Sequence, residues 1–553
     1  MKAVKNRFLF KNFIFFITCL LVSNAYCVTY ITNLADLQQI TSDPSGEYVL
    51  TADIDASSVQ NFTPLCSPSS PFTGKFDGNN HTIKNLTINL PNEDYVSLFG
   101  WVGYIPPSSS NSDIEIKNIK LENVNIIGRN RVGALVGEVY GAQISNCTVT
   151  GTVQGLQWVG GLIGINNSDG NITQCSFIGS VNGESYIAGL ISTNSGSVTK
   201  CFSAGIVSAI YECAGLIGTN TFDGISYGSV SDCFSACKVT GSSPTGVIAG
   251  GLIAWNEGTA SVTRCYAVGE LYGYWDQPNN ISGTYGLFYH HNPINPTGID
   301  SYWDIQTTGT TNSDGGLGKT TDEMKQQSTY TNWDFNNVWE IQPGCYPTLR
   351  GLDNPYLVEI PNVTGMSQSS AESEINLAKL TVGNITQECN NTVPAGQVIS
   401  QTPAPGTQTC SGNPIDLVVS TGNCPVSNAV ISGNPSQLQF TTGDTLVFKV
   451  EYEGGVGEVN FQWYFSPQTP TKDAVPIPGA TSDTLVITNL QVSNSGWYWC
   501  EVSDEQNVIQ TPPVHVQVEP GVSVTSIWLV LISIIIFVLI GIPFLPKRAK
   551  NNL

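Results

Sequence analysis

Charged residues are scarce in this chain of 553 residues: Asp, Glu, Lys and Arg make up 12% of it, and only 22 residues are basic. Against 43 acidic residues they give a formal net charge of −21, which repels nucleic acid and anionic lipid surfaces. The acidic residues form no long run, so the charge indicates diffuse solubilisation and no specific basic ligand. We therefore expect no nucleic-acid partner.

Catalytic and metal-binding motifs are also missing. The chain has four histidines and contains neither an HExxH motif nor a G-x-S-x-G elbow. It has no close CxxC or CxxH pair of the kind that binds zinc. The sequence therefore predicts no catalytic residue, no metal site and no cofactor, and we expect a protein that is not an enzyme.

A near-match to a phosphate-binding loop, SDGGLGKT at residues 313–320, needs a separate explanation. Such a loop requires a glycine five positions before the Gly-Lys pair, and Ser313 occupies that position. We interpret the stretch as a loop at the end of the repeat region, with glycines that serve the turn and a solvated Lys319.

The N-terminus predicts export. Four basic residues precede the apolar run FIFFITCLLV, which is followed by the small polar stretch SNAYC. This pattern is typical of a secretory signal peptide, which we place at residues 1–27. Cleavage after Ala25 and cleavage after Cys27 both remain open.

The C-terminus predicts a membrane anchor. The run IWLVLISIIIFVLIGIPFL holds no charged residue and is long enough to cross about 30 Å of hydrocarbon. Three basic residues follow it, which by the positive-inside rule places the tail in the cytoplasm. We expect one transmembrane helix at residues 526–545, a cytoplasmic tail at 546–553 and everything upstream outside the cell.

Internal repetition dominates the region from residue 28 to 352. Short cores such as GALVG, GGLIG and AGLIG recur at intervals of 26 to 36 residues, each followed by a phrase such as ISNCTVTGTV. Fixed-period units of this size, rich in β-branched residues and turn signals, are typical of a β-solenoid. We expect one inward-facing ladder of leucines: Leu135, Leu162, Leu190, Leu216 and Leu252.

Five cysteines occupy the same place in successive phrases: Cys147, Cys175, Cys201, Cys233 and Cys265. We expect them to stack as a second ladder. A metal or redox array is one reading, and an exported protein could oxidise such cysteines in pairs. The other reading, which we favour, is a small apolar core residue copied by duplication.

The repeated phrases resemble the GLUG motif, which occurs in bacterial surface proteins that include adhesins and an immunoglobulin-A protease. The upstream stretch FTGKFDGNNHTIKNLTI and the downstream stretch GGLGKTTDEMKQQSTYTNWDFNNVWEI resemble the usual ends of such arrays. The resemblance implies a right-handed parallel β-helix with terminal caps. It transfers no protease activity, because the repeats are not the protease active site.

Two further modules follow. Residues 356–422 are similar to a PASTA domain, in the stretch IPNVTGM, a short amphipathic helix beginning near Ser367 or Ser369, and the run VISQTPAPG. The resemblance implies a small α+β fold, and some members of that family bind peptidoglycan fragments. Both a spacer role and a wall-binding role are open. We expect Cys389 and Cys410 to form a disulfide within this module.

Residues 425–518 resemble an immunoglobulin-like sandwich. FQWYF places Trp463 at the strand-C tryptophan, and GWYWC places Tyr498 at the corner tyrosine two residues before Cys500. The strand-B position opposite Cys500 is Val450, so the usual disulfide between the sheets is absent. Cys500 is then either a buried thiol or bonded elsewhere, with Cys424 as the candidate partner.

These inferences favour a mainly β, non-catalytic bacterial cell-surface adhesion or interaction protein with a single membrane span. We expect exposed aromatic and Asn/Thr loops of the solenoid to contact an unknown extracellular glycan or protein, with peptidoglycan as a further candidate ligand. Two alternatives stay open: an extracellular carbohydrate-active enzyme that uses the β-helix groove, and a structural linker between wall and membrane.

Overall fold

The structure is a computed structural model that describes residues 28–104, 113–243, 246–273, 283–291, 298–432, 437–470 and 474–521, together with 528, 529 and 532. The chain divides into two compact units, Met1–Leu357 and Val358–Leu553. The predicted signal peptide and nearly all of the predicted transmembrane helix lie outside the described residues. Within the part of the chain that is described, no helix is both long and apolar enough to span a bilayer.

The first unit is a parallel β-solenoid. Each coil contributes strands to four sheets, and each strand pairs in parallel with its equivalent in the next coil. The parallel strand order therefore confirms the predicted mainly β solenoid.

In each repeat, the strand before the ladder cysteine belongs to sheet 1 and the strand after it belongs to sheet 2. Among the described residues, sheet 1 has nine strands: Val28–Ile31, Glu47–Leu50, Lys75–Asp77, Glu115–Lys117, Gln143–Ser145, Asn171–Thr173, Ser197–Thr199, Ser229–Ser231 and Ser261–Thr263. Sheet 2 has twelve: Ile54–Asp55, Thr82–Lys84, Thr87–Asn89, Lys120–Ile127, Thr148–Gln154, Ser176–Asn182, Phe202–Ala209, Phe234–Gly241, Tyr266–Ala267, Leu271–Gly273, Tyr302–Asp304 and Leu317–Lys319.

Sheets 3 and 4 flank the glycine-leucine cores. In the described ranges, sheet 3 has six strands: Asn130–Val132, Gln157–Gly160, Ser185–Ala188, Glu212–Ala214, Ile248–Gly250 and Gly283–Tyr285. Sheet 4 has seven: Phe99–Gly103, Val136–Tyr140, Ile163–Asn166, Ile191–Asn194, Ile217–Asn220, Ile253–Glu257 and Phe288–His291.

The turn between sheets 3 and 4 is tight at the first glycine of the cores GALVG and GGLIG. A Cβ added at Gly133 would lie 2.3 Å from the carbonyl oxygen of Val136, and one at Gly160 would lie 1.9 Å from that of Ile163. Real side chains do not approach backbone so closely, so a larger residue at Gly133 or Gly160 would require the turn to shift. The next two coils make that adjustment, because Ala188 and Ala214 occupy the equivalent position. Because each coil makes one such turn, the motif recurs once per coil.

Short elements close the first unit. They comprise the helices Leu34–Gln38, Ile305–Thr308 and Thr321–Met324, the 3₁₀ turns Gln39–Ser42 and Gln327–Thr329, and the paired strands Trp339–Glu340 and Thr348–Leu349. The stretch SDGGLGKT ends in the strand Leu317–Lys319, which pairs with Tyr302–Asp304, so the predicted loop is only partly correct. Lys319 Nζ lies 3.2 Å from Glu323 Oε1, so its ammonium is ion-paired.

The second unit begins with a small α+β fold. The helix Gln368–Leu377 starts after the N-cap Ser367, as predicted, and buries Ala371 and Ile375. The strand Pro414–Ser420 lies between the parallel strand Thr381–Glu388 and the antiparallel strand Val398–Thr402. Two short strands, Leu357–Glu359 and Gln408–Cys410, complete the region.

A two-sheet sandwich follows. One sheet contains Ser427–Ile431, Leu446–Glu453 and Thr484–Ile487, and the other contains Gln437–Thr441, Asn460–Ser466, Val475–Pro476, Gly496–Ser503, Val508–Gln510 and Val514–Glu519. A 3₁₀ turn, Val492–Asn494, precedes the strand that carries Tyr498. The inner faces of the two sheets share one apolar core.

Candidate functional site

The predicted leucine ladder lies in the solenoid core. All five leucines are completely buried, and their backbones are linked from coil to coil: the Leu135 amide donates to the Leu162 carbonyl at 3.0 Å, and the Leu162 amide donates to Leu190 at 2.9 Å. Each buried leucine contributes about 1.5–3 kcal/mol through removal of apolar surface from water. These residues hold the coils together and offer nothing to a ligand.

The five predicted cysteines also lie in the core, with no solvent exposure, and all are free thiols. Each donates to the carbonyl two residues before it, for example Cys201 Sγ to Thr199 O at 3.2 Å. The backbone amide of Cys201 in turn donates to Cys233 Sγ at 3.3 Å. Burial raises the pKa of the Cys175 and Cys233 thiols. Across the described ranges, no group of three or more His, Cys, Asp or Glu residues is placed to hold a metal ion.

A buried ladder of asparagines was missed from the sequence. Asn166, Asn194, Asn220 and Asn256 are completely buried. The Nδ2 of each of the first three donates to the Oδ1 of the next asparagine at 2.8 Å. The signal was available, because each asparagine stands four residues after a ladder leucine. A chain of paired amides satisfies polar groups that would otherwise be costly in the core.

An aromatic column covers part of the outer face of sheet 2. Phe202, Phe234 and Tyr266 stack with ring centroids 4.8 and 5.0 Å apart and nearly parallel planes. The segment 324–356 packs over them, with Trp339 fully buried and the Tyr266 hydroxyl donating to Pro347 O at 2.5 Å. These rings are buried beneath the chain's own terminal segment, so they are not among the exposed aromatics that we expect to contact a ligand.

The corner between sheets 1 and 2 repeats one backbone conformation in seven successive coils. The residue before each ladder cysteine, or its equivalent, has φ between 50° and 55°: Asn118, Asn146, Gln174, Lys200, Asp232, Arg264 and Asp300. We call this set the corner column. Its side chains stack along the solenoid axis at about 4.8 Å, the spacing of neighbouring strands.

The C-terminal half of the corner column is charged and covered. Arg264 makes two hydrogen bonds to Asp232, both 2.7 Å long. The indole of Trp339 donates to Asp232 Oδ1 at 3.4 Å, and that of Trp333 donates to Asp300 O at 2.8 Å. The terminal segment therefore occupies this part of the corner.

The N-terminal half of the corner column carries only amides and borders a cavity of about 420 Å³, which we call the corner cleft. Its lining residues are Asn80, Asn118, Ile119, Lys120, Asn146, Thr148, Gln174, Gly351 and Leu352. Asn118 Nδ2 donates to Asp77 Oδ1 at 3.0 Å, and Asn146 Nδ2 donates to Asn118 Oδ1 at 3.2 Å. The Lys120 ammonium is paired with Glu122 at 2.7 Å. The cleft is thus a polar surface without a free charge.

A second cluster lies at the corner between sheets 3 and 4. The Arg131 guanidinium lies over the rings of Tyr95 and Trp158, 5.3 and 5.0 Å from their centroids, and its Nε is 3.1 Å from Glu138 Oε2. Trp158 stacks in turn on Tyr186. Desolvation raises the pKa of Glu138, with Arg131 opposing that rise. The rings face one another along the axis, so the cluster braces successive coils.

The predicted structural residues of the sandwich are all buried. Trp463 Nε1 donates to Ser482 O at 2.9 Å, and the Tyr498 hydroxyl donates to Asn494 O at 2.9 Å. Cys500 is a free, buried thiol, and burial raises its pKa to about 12. Val450 is buried in the same core.

The predicted Cys389–Cys410 disulfide is wrong. Cys389 is bonded to Cys424, with an S–S distance of 2.07 Å and a Cα separation of 4.8 Å, and Cys410 is also disulfide-bonded. The pairing also excludes Cys424 as a partner for Cys500. Sequence spacing could not choose among these cysteines, because connectivity depends on which loops meet in space.

Comparison with protein families decides the module content. A model of the GLUG motif matches residues 128–154, one of the PASTA domain matches 358–421, and one of the immunoglobulin domain matches 430–504. The chain carries GLUG, PASTA and immunoglobulin modules, in that order. The GLUG match covers one coil of the solenoid, from just before the sheet 3 strand Asn130–Val132 to the end of the sheet 2 strand Thr148–Gln154.

Curated relatives match separate parts of the chain. Halomucin of Haloquadratum walsbyi is 35% identical over 152 residues, and the immunoglobulin A1 protease of Streptococcus sanguinis is 32% identical over 143 residues; each match covers 25% of this chain. A probable serine/threonine-protein kinase PknB of Lactococcus lactis is 42% identical over 72 residues, 13% of this chain. The chain spans only 2%, 7% and 12% of those three proteins. Together with the modules, they indicate a cell-surface or extracellular protein.

Proposed function

We propose that this chain is a non-catalytic cell-surface binding protein whose solenoid presents the corner cleft to an extracellular glycan. In this proposal the PASTA and immunoglobulin modules form the stalk, and the predicted transmembrane helix at 526–545 anchors it. The observation that carries the proposal is the change within the corner column, from charged residues under the terminal segment to neutral amides at the open cleft.

Amides suit sugar recognition because each offers two donors and a carbonyl acceptor, which match hydroxyl groups that both donate and accept. Among the described residues the Gln174 side-chain amide, which lines the cleft, has no hydrogen-bond partner and is available to a ligand. Thr148, two residues after Asn146, adds a hydroxyl to the same cleft. A protein ligand is the other candidate, and the experiment below separates the two.

Carboxylate placement supports binding over hydrolysis. A glycosidase needs two carboxyl groups about 5–9.5 Å apart. In the corner between sheets 3 and 4, the carboxylates of Glu138 and Glu212 lie three coils apart by strand register, which at about 4.8 Å per coil is roughly 14 Å. Glu138 is moreover held by Arg131 and by Asn167 Nδ2 at 3.0 Å. Beside the corner cleft, the Glu122 carboxylate is engaged by Lys120 and Asp77 Oδ1 accepts from Asn118 Nδ2.

The test uses residues 28–521 on an array of glycans, matrix proteins and wall fragments, with every spot also assayed for released products. We expect saturable binding to glycans without turnover, retained by residues 28–357 alone. Released sugars would contradict the non-catalytic proposal. Binding only to wall fragments, and only by the second unit, would favour the wall-to-membrane linker through the PASTA module.

A further inference from the structure

The corner cleft offers one amide per coil. Asn118, Asn146 and Gln174 occupy the same backbone position in three successive coils, with φ of 54°, 54° and 55°. Asn80 lies on the preceding coil, where its backbone amide donates to Asn118 O at 3.0 Å. Since successive coils are about 4.8 Å apart, the four amides form a row about 14 Å long, parallel to the axis.

Hydrogen bonds between side chains of this row all run in the same direction along the axis. Asn146 Nδ2 donates to Asn118 Oδ1, and Asn118 Nδ2 donates to Asp77 Oδ1, so the two asparagine side chains are held in place before any ligand arrives. Such preorganisation lowers the entropic cost of binding. Asn146 Oδ1 and the side-chain amide of Gln174 have no partner among the described residues, so the first can accept from a ligand and the second can both accept and donate.

We propose that the cleft recognises a linear, uncharged polysaccharide lying parallel to the solenoid axis, with one sugar unit per coil; this rests on the proposed function. An extended peptide advances about 3.3 Å per residue and a polyproline II chain about 3.1 Å, so both fall out of step with the coils. A pyranose unit in an equatorially linked chain advances by nearly one coil. The neutral amides and the paired Lys120 favour hydroxyl groups over charged ones.

The length of the cleft fixes the length of the recognised segment. Beyond Gln174 the corner column continues with Lys200 and then Asp232, which is bonded to Arg264 and Trp339. Gly351 lies at this end, where an added Cβ would be 2.8 Å from Gln174 Nε2. The open row therefore ends at Gln174, and four amides accommodate about four sugar units.

The test measures the affinity of the full chain, purified in detergent, for cello- and chito-oligosaccharides from the dimer to the hexamer. In at least one series, we expect affinity to rise with each unit up to the tetramer and then level off. Gln174→Ala and Asn80→Ala, at opposite ends of the row, should each weaken tetramer binding roughly two- to tenfold, the loss of one neutral hydrogen bond. Asn125→Ala, an exposed amide in the coil of Asn118, is the matched control and should change nothing.

Affinity independent of length, or tetramer binding unaffected by the end variants, would overturn the axial arrangement while leaving glycan binding intact. Failure of both series, with other glycans bound on the array, would overturn the class of polysaccharide. Absence of any glycan binding on the array would instead contradict the proposed function itself.

Discussion

Trp339 Nε1 donates to Asp232 Oδ1 across 107 residues of chain, and this contact marks where the terminal segment lies on the corner of the solenoid. On the C-terminal side the corner column is charged and covered, and on the N-terminal side it is uncharged and open. The repeated coil supplies identical backbone positions, so the difference lies in side chains alone. In a solenoid of this kind the stacked coils form a constant scaffold, and the side chains of the corner column differ from coil to coil.

Asn194→Ala tests the buried asparagine ladder. The change leaves Asn166 Nδ2 without the Asn194 acceptor and Asn220 Oδ1 without its donor. An unpaired buried polar group costs about 1–3 kcal/mol, so we expect a loss of about 2–4 kcal/mol in the free energy of unfolding. Urea denaturation measures it, with the exposed Asn125→Ala as a control expected within about 0.5 kcal/mol of wild type. An equal effect of both changes would show that the ladder contributes no stability.

Cys201→Ala separates the two readings of the cysteine ladder. If Cys201 is only a small core residue, Cys201→Ala removes one buried heavy atom and should lower the free energy of unfolding by only about 1 kcal/mol. The folded protein should contain no stoichiometric zinc by elemental analysis, and its solenoid thiols should react with a thiol reagent only after unfolding. Bound zinc that is released by Cys201→Ala would establish the metal reading instead.

Val450→Cys should restore the disulfide that the immunoglobulin module lacks. Residues 450 and 500 would close a loop of about 50 residues, worth about 4 kcal/mol in the chain-entropy treatment. Val450 and Cys500 are both buried in the core that the two sheets share. The guanidinium midpoint of the oxidised variant should rise above that of the same variant under reduction. If the two thiols remain free under oxidising conditions, the assignment of Val450 to the strand-B position is wrong.

Asp504 predicts an acid-dependent loss of stability in the same module. Burial raises its pKa, but backbone amides of Val456, Gln506, Val426 and Asn507 outweigh that and lower it to about 2. Against an unfolded value near 3.9, its contribution is complete above that pH and disappears as the pH falls through about 2. The denaturation midpoint of Asp504→Asn should therefore fall less than that of wild type between pH 5 and pH 2. Parallel profiles would contradict this role.

The sequence revealed those features that repetition or local spacing specifies. The ladder of Leu135 and its equivalents, the helix that starts at Ser367 and the pair Trp463 and Tyr498 depend on local patterns, and all were predicted. The Cys389–Cys424 disulfide was not, because it joins loops whose meeting depends on the tertiary fold. The covered column of Phe202 and its neighbours was missed for the same reason, although each ring follows a ladder cysteine directly.

The corner cleft could be predicted only in part. Asn/Thr-rich positions were expected to contact a ligand, and Asn146 and Thr148 do line the cavity. Asn146 stands at the left-handed corner between sheets 1 and 2, and Thr148 begins the strand that follows. The feature that leaves the cleft open is the point near Gly351 where the terminal segment stops covering the corner column. It depends on contacts between residues about 180 positions apart in sequence and has no local signal.

The most direct test is the affinity of the array-selected glycan for wild type and for the double variant Asn146→Ala/Gln174→Ala, measured by titration calorimetry. The account predicts a loss of about 1–3 kcal/mol in binding free energy for two neutral hydrogen bonds, with unfolding transitions and Asn125→Ala binding unchanged. Equal affinities of wild type and the double variant would place the binding site elsewhere and contradict the account.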